Sequence, residues 1–138
     1  MAEGSLKFLF DENLSPVLVR VLRNLGENTI HHHRAVFPGG ADDEHWIPKA
    51  TSLGFVCITL DHKMTTDRTV APILAATKAR MIFLRFGRAR MDRWQQALWF
   101  LKYWHKLRDR AALLKPGEMI RAHRNGRITQ VKPKRKSS

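Results

Sequence analysis

A short apolar strand that runs straight into two carboxylates and an amide constrains this chain most. Leu6-Lys7-Phe8-Leu9-Phe10 is followed by Asp11-Glu12-Asn13, and a helix signal comes at once. Ser15 is a good N-cap, and Pro16 then falls at the first helical position, where its missing N–H costs nothing. Behind it Leu14, Val17, Leu18, Val21, Leu22 and Leu25 make one apolar helix face, closed by Gly26. Asp11 and Glu12 therefore sit where a buried strand ends and a helix begins, which is where open α/β sheets bind ligands.

Strand and helix signals alternate from there. Asn28 to His33 reads as a second strand and Arg34 to Gly40 as a loop. A helix capped by Asp42 or Asp43 follows, with Trp46, Ile47, Ala50 and Leu53 as its buried face and Gly54 at its end. Phe55 to Leu60 is a nearly continuous apolar run, read as a buried parallel strand that ends at Asp61. Lys63 to Thr69 reads as a polar loop, Val70 to Thr77 as a helix and Arg80 to Phe86 as a fourth strand. The alternation implies βαβ units and a parallel sheet. Right-handed crossovers would put the strand carboxyl ends on one rim, so that Asp11 and Asp61 share it and the loop with Asp43 reaches it.

Arg90 to Asp109 has the pattern of a long helix, with Met91, Trp94, Leu98 and Leu101 on one line and Ala97, Phe100, Trp104 and Leu107 beside it. Trp99 and Tyr103 widen the apolar girth, and a single buried face leaves them pointing elsewhere. The expectation is that they bind another chain, unless the following hairpin folds over them. That hairpin is signalled by Asn125-Gly126 between Glu118–His123 and Arg127–Val131. The reading is one domain over 1–131, with 88–131 as a basic helix and hairpin extension, and a disordered basic tail over 132–138.

Charge is spread unevenly. Residues 1–77 hold 7 Lys/Arg against 9 Asp/Glu, and residues 78–138 hold 18 against 3, within an overall net of +13. So basic a second half points to a polyanionic partner, nucleic acid first. No apolar run is long enough to cross a membrane, and the N-terminus lacks the regions of a signal peptide. The lone Cys57 reads as a small core residue and fits a reducing cytoplasm. Of His31, His32 and His33, only the first and last could share a side of a strand, and no cysteine or His-x-x-x-His spacing supports zinc. They read as strand-end or surface histidines.

The acids carry the chemistry. Asp11, Asp43 and Asp61 stand out by placement, with Glu12, Glu44 and Asp67 close in sequence. Gathered carboxylates repel one another unless a cation sits among them, and hard divalent ions take such oxygens. Leu9-Phe10-Asp11-Glu12-Asn13-Leu14-Ser15-Pro16, then Gly40-Ala41-Asp42-Asp43-Glu44-His45-Trp46-Ile47, then Val56-Cys57-Ile58-Thr59-Leu60-Asp61, closely resemble the PIN-like families, and among them VapC-type toxin ribonucleases of type II toxin–antitoxin modules. The resemblance covers roughly residues 6–86. It implies a three-layer α/β/α fold with a mainly parallel sheet, and an endoribonuclease dependent on Mg²⁺ or Mn²⁺. Asp11, Asp43 and Asp61 would be the catalytic and metal-holding acids; Glu12, Glu44 and Asp67 compete for a fourth place. RNA phosphates would meet Lys63, Arg85, Arg88, Arg90, Arg121, Arg124, Arg127, Lys132, Lys134, Arg135 and Lys136. Expected partners are RNA, an antitoxin protein and a second copy of the chain. One rival is a non-catalytic nucleic-acid-binding module with a degenerate acidic pocket. Another is a receiver-like phosphoacceptor, which wants a Lys at a later strand end where Leu84-Arg85-Phe86-Gly87 offers none.

Overall fold

A computed structural model describes residues 6–39 and 41–132. Its strands are β1 (Lys7–Phe10), β2 (Ile30–His32), β3 (Phe55–Thr59), β4 (Arg80–Arg85), β5 (Met119–His123) and β6 (Ile128–Val131). Its helices are α1 (Pro16–Asn24), α2 (His33–Val36), α3 (Asp43–Ser52), α4 (Val70–Thr77) and α5 (Arg93–Ala111), with a 3-10 turn over His62–Thr65. The six strands form one sheet in the order β2-β1-β3-β4-β5-β6. All pairings are parallel except that of β5 with β6. The hairpin thus continues the same sheet.

Alternation along each strand sorts the core into two layers. Phe8, Phe10, Val56, Ile58, Ile82, Leu84 and Ile120 face α1 and α5. Leu9, Phe55, Cys57, Met81, Phe83 and Met119 face α3 and α4. This is the α/β/α sandwich that the sequence implied. At α1 the local signals act as read: the Ser15 hydroxyl accepts from the Val17 N–H at 3.1 Å, and Pro16 opens the helix. Cys57 is buried in the second layer, and burial pushes its thiol pKa up. Among the described residues no helix is long and apolar enough to cross a membrane.

Leu53, read as part of the buried face of α3, is exposed at the end of that helix, and two larger features differ from the sequence reading. The second strand is shorter, because the chain turns into α2 at His33. The other concerns α5. Crossovers β3–α4–β4 and β4–α5–β5 step the same way across the sheet, yet α4 and α5 lie on opposite faces. The two connections therefore have opposite hands, against a strong general preference for one. The reason lies in coverage: α3 and α4 already fill one face, while Phe8 and Phe10 on the other are met edge-on or tilted by Trp104 and Phe100 of α5.

This placement overturns the expected outward face of α5. Trp99 is 5% exposed, whereas Trp94 is 76% exposed and Leu98 and Leu101 are also on the surface. Trp99 packs on Phe86, Phe100 and Tyr103, and its indole N–H donates to the carbonyls of His123 and Arg124. The hairpin covers this side. Trp99→Ala should therefore cost about 3–5 kcal/mol of stability, while Trp94→Glu should stay within about 0.5 kcal/mol. Urea unfolding of the two variants checks this; equal losses would refute the assignment.

Candidate functional site

The carboxyl ends of β2, β1 and β3 lie side by side. Sheet order reverses between β1 and β3, since β2 is added on one side of β1 and β3 on the other. Such a switch point opens a crevice at the strand ends. The register pairs Phe10 with His32 and with Ile58. One residue further along, His33, Asp11 and Thr59 follow on the three adjacent strands, all on the α3 side of the sheet.

Asp11 is 5% exposed and held from several directions. Its Oδ1 accepts from the Glu12 N–H at 2.8 Å, and its Oδ2 accepts from the Thr59 hydroxyl at 2.8 Å. Asn13 locks the cradle: its amide N–H donates to Thr59 Oγ1 at 3.0 Å, and its carbonyl accepts from the Leu60 N–H at 3.2 Å. Burial pushes the Asp11 carboxyl above the ordinary Asp range, and the Asp43 charge adds to this; Thr59, the Glu12 N–H and His33 act the other way. A fixed carboxylate that resists ionisation in isolation is stabilised by a nearby cation.

His33 supplies the other unusual feature. It is 0% exposed, and neither ring nitrogen has a hydrogen-bond partner. Its ring stands edge-on to Trp46 at 5.0 Å and beside Phe37 at 5.2 Å. Asp11, Glu12 and His33 each offer a donor atom within 4.8 Å of the others. Two carboxylates and an unpartnered imidazole at that spacing suit a divalent cation, so the residues present fit one. The neighbouring His32 instead ties the backbone together, since its Nε2 meets the Leu14 carbonyl at 2.7 Å and its Nδ1 accepts from the Arg34 N–H at 3.1 Å.

The remaining acids are placed as follows. Asp43 is half-buried, and its Oδ1 accepts from the Trp46 indole N–H at 2.8 Å. Asp61 leads into the 3-10 turn, where its Oδ1 accepts from the Lys63 N–H at 3.1 Å. Asp67 is exposed and accepts from the N–H groups of Thr69 and Val70, which caps α4 and holds its carboxyl below the usual range. Glu44 is exposed in the first turn of α3. The structure thus gathers Asp11 and Glu12, adds His33, sets Asp43 near enough for its charge to act on Asp11, and leaves Asp61, Glu44 and Asp67 outside the close group.

Further along the same rim, the ends of β4 and β5 and the hairpin turn enclose an open concavity of about 490 Å³. Arg85, Arg88, Arg124 and Arg127 line it together with His123 and Asn125. Arg124 is tied to the carbonyls of Phe86 and Ala89. Arg85, Arg88 and Arg127 are exposed. Among the described residues the acid–base pairs are His45–Asp42 and Arg108–Glu27, so none of these arginines has a carboxylate partner there. Burial first, then Arg127, Arg121 and Arg85, lowers the pKa of His123. Lys63, Arg90 and Lys132 are exposed elsewhere, and Arg121 is half-buried on β5 with its Nε unpartnered. Lys134, Arg135 and Lys136 lie outside the described residues.

A family model described as PIN like domain matches residues 6–85, which is β1 through β4 with every acid considered above. The chain belongs to the PIN-like domain family. The match ends where the arginine concavity begins, so α5 and the hairpin lie beyond it. No curated protein and no solved structure matches the chain.

Proposed function

We propose that this PIN-like chain is a divalent-metal-dependent endoribonuclease, and the toxin of a type II toxin–antitoxin pair in the cytoplasm. The observation that carries the nuclease reading is the buried, pre-set Asp11 beside Glu12 and the unpartnered His33. A divalent ion held there, Mg²⁺ or Mn²⁺, would supply charge stabilisation at a scissile phosphate and make a water more acidic. Asp11 would hold the ion, with Thr59 and Asn13 fixing the angle of its carboxylate. Asp43 and Asp61 would act from the edge of the site, where a bound substrate could draw on them.

The arginine concavity supports RNA as the substrate. It lies on the same rim, about 12 Å from β1 at ordinary strand spacing, so one strand of RNA can touch both. Arg85, Arg88 and Arg127 would grip phosphates flanking the cleaved one. Arg88→Ala and Arg127→Ala should each lower the salt slope of single-stranded RNA binding by about 0.7. Fluorescence anisotropy over a salt series reads this, and unchanged slopes would move the RNA elsewhere.

An antitoxin or a second copy would dock on the outer stripe of α5, where Trp94, Leu98 and Leu101 are exposed. The toxin role itself rests on the resemblance of the three acidic segments. A non-catalytic RNA-binding module is the second reading; it draws on the internal hydrogen bonds that already occupy Asp43 and Asp61. The deciding experiment is incubation of the purified chain with RNA in Mg²⁺ or Mn²⁺, with and without chelator. Chelator-sensitive cleavage supports the enzyme; binding without cleavage in either metal supports the module.

A further inference from the structure

We propose that Asp11, Glu12 and His33 form a mixed oxygen–nitrogen metal centre that selects a borderline transition ion, of the Mn²⁺, Co²⁺ and Zn²⁺ class, over Mg²⁺. The inference rests on the metal-site reading above and makes it specific. An imidazole at 0% exposure with both nitrogens unpaired is costly, because water is lost and no protein group replaces it. Its ring neighbours, Trp46 and Phe37, offer aromatic surface and no acceptor in contact with it. The polar atoms it does approach are carboxylate oxygens of Asp11 and Glu12, within 4.8 Å. Neither ring nitrogen is hydrogen-bonded to them. Two ligands that each stand about 2.1 Å from a shared ion are at most about 4.2 Å apart, so the group needs only a small closure, which the exposed Glu12 can supply.

The surroundings make the geometry firm on two sides and adjustable on the third. Asp11 is fixed by Thr59 and the Glu12 N–H. His33 is wedged against Trp46, whose indole is in turn held by Asp43. Asp43 is thus a positioning residue for the imidazole. Glu12 is exposed and free to close on an ion. A nitrogen ligand is what separates metals here: Mg²⁺ favours oxygen donors and retains its waters, whereas imidazole suits borderline ions.

The test uses the full chain without RNA. Calorimetric titration should give one Co²⁺ per chain, bound at least about 100-fold more tightly than Mg²⁺. His33→Gln should reduce that ratio at least about tenfold, with Mg²⁺ affinity little changed, and His31→Gln should leave the ratio as it was. A folded His33→Gln chain with an unchanged ratio overturns the proposal. Should that variant fail to fold, spectra of ¹⁵N-histidine-labelled wild-type chain decide. One equivalent of Mn²⁺ must broaden the His33 ring signals first, and untouched His33 signals refute the centre. Failure of the nuclease reading looks different: Co²⁺ would bind through His33 while RNA stayed intact.

Discussion

Asp11→Asn should abolish RNA cleavage, by at least about a thousandfold, and leave the fold standing. On the proposed nuclease function the variant loses a metal ligand, which removes several kcal/mol of transition-state stabilisation, and each ~1.4 kcal/mol is tenfold in rate. The stability side needs the hydrogen bonds counted. Thr59 Oγ1 already accepts from the Asn13 amide and from the Asp61 N–H, so its proton must go to residue 11. An Asn there can accept from Thr59 or from the Glu12 N–H, but not from both through one oxygen. One bond is lost, costing about 1 kcal/mol. Removal of a desolvated charge near Asp43 offsets it. The variant should thus unfold within about 1 kcal/mol of wild type and still bind RNA through the arginine rim. A variant that cleaves at the wild-type rate in saturating metal would take Asp11 out of the mechanism. A variant that loses binding as well would mean that Asp11 shapes the RNA surface instead.

The same residues explain what could be read without a structure. Asp11 was legible because three local signals coincide: an apolar strand before it, the Ser15-Pro16 helix start after it, and the register-independent fact that such junctions lie on the rim. His33 was not legible in the same way. Its proposed role depends on the pairing of Phe10 with His32, which sets two consecutive strands in register. It also depends on the chain leaving the strand at His33 to enter α2. No spacing rule for metal ligands contains either fact. Asp67 shows the converse: its placement near the other acids in sequence is real, yet its carboxylate is used by the first turn of α4.

The misplaced face of α5 has a topological cause. A helix pattern with apolar residues on most sides fixes the helix but not which side meets the sheet. The usual hand of a crossover would put α5 over α4's side of the sheet. The chain instead sends it across to Phe8 and Phe10, and the Asn125-Gly126 turn comes back over Trp99. Helix, hairpin and sheet were each legible alone. Their mutual arrangement depended on which face remained uncovered after α3 and α4 had packed, a property of the whole fold.

Gly126→Ala is the sharpest test of that arrangement. Gly126 has φ +87°, a conformation that costs an L-residue roughly 1–2 kcal/mol. An added Cβ would also fall on the Tyr103 ring of α5, 2.6 Å from Cδ1 and 2.7 Å from Cζ. The turn has little room to retreat, because the Lys106 ammonium donates to the Gly126 carbonyl at 2.7 Å and the Gly126 N–H donates to the His123 carbonyl at 2.8 Å. Overpacking of this kind costs about 1–3 kcal/mol, so the whole loss should be about 2–5 kcal/mol. Tyr103→Ala removes the obstacle while keeping the φ strain. In the double variant the combined loss should therefore fall short of the sum of the two separate losses by about 1–3 kcal/mol. Denaturant unfolding of the four proteins measures this coupling, and strict additivity would mean that the turn does not rest on Tyr103. The functional consequence follows from position. Arg124, Asn125 and Arg127 sit on this turn and line the basic concavity. A turn pushed off α5 should loosen RNA binding in Gly126→Ala, and the double variant should recover part of it.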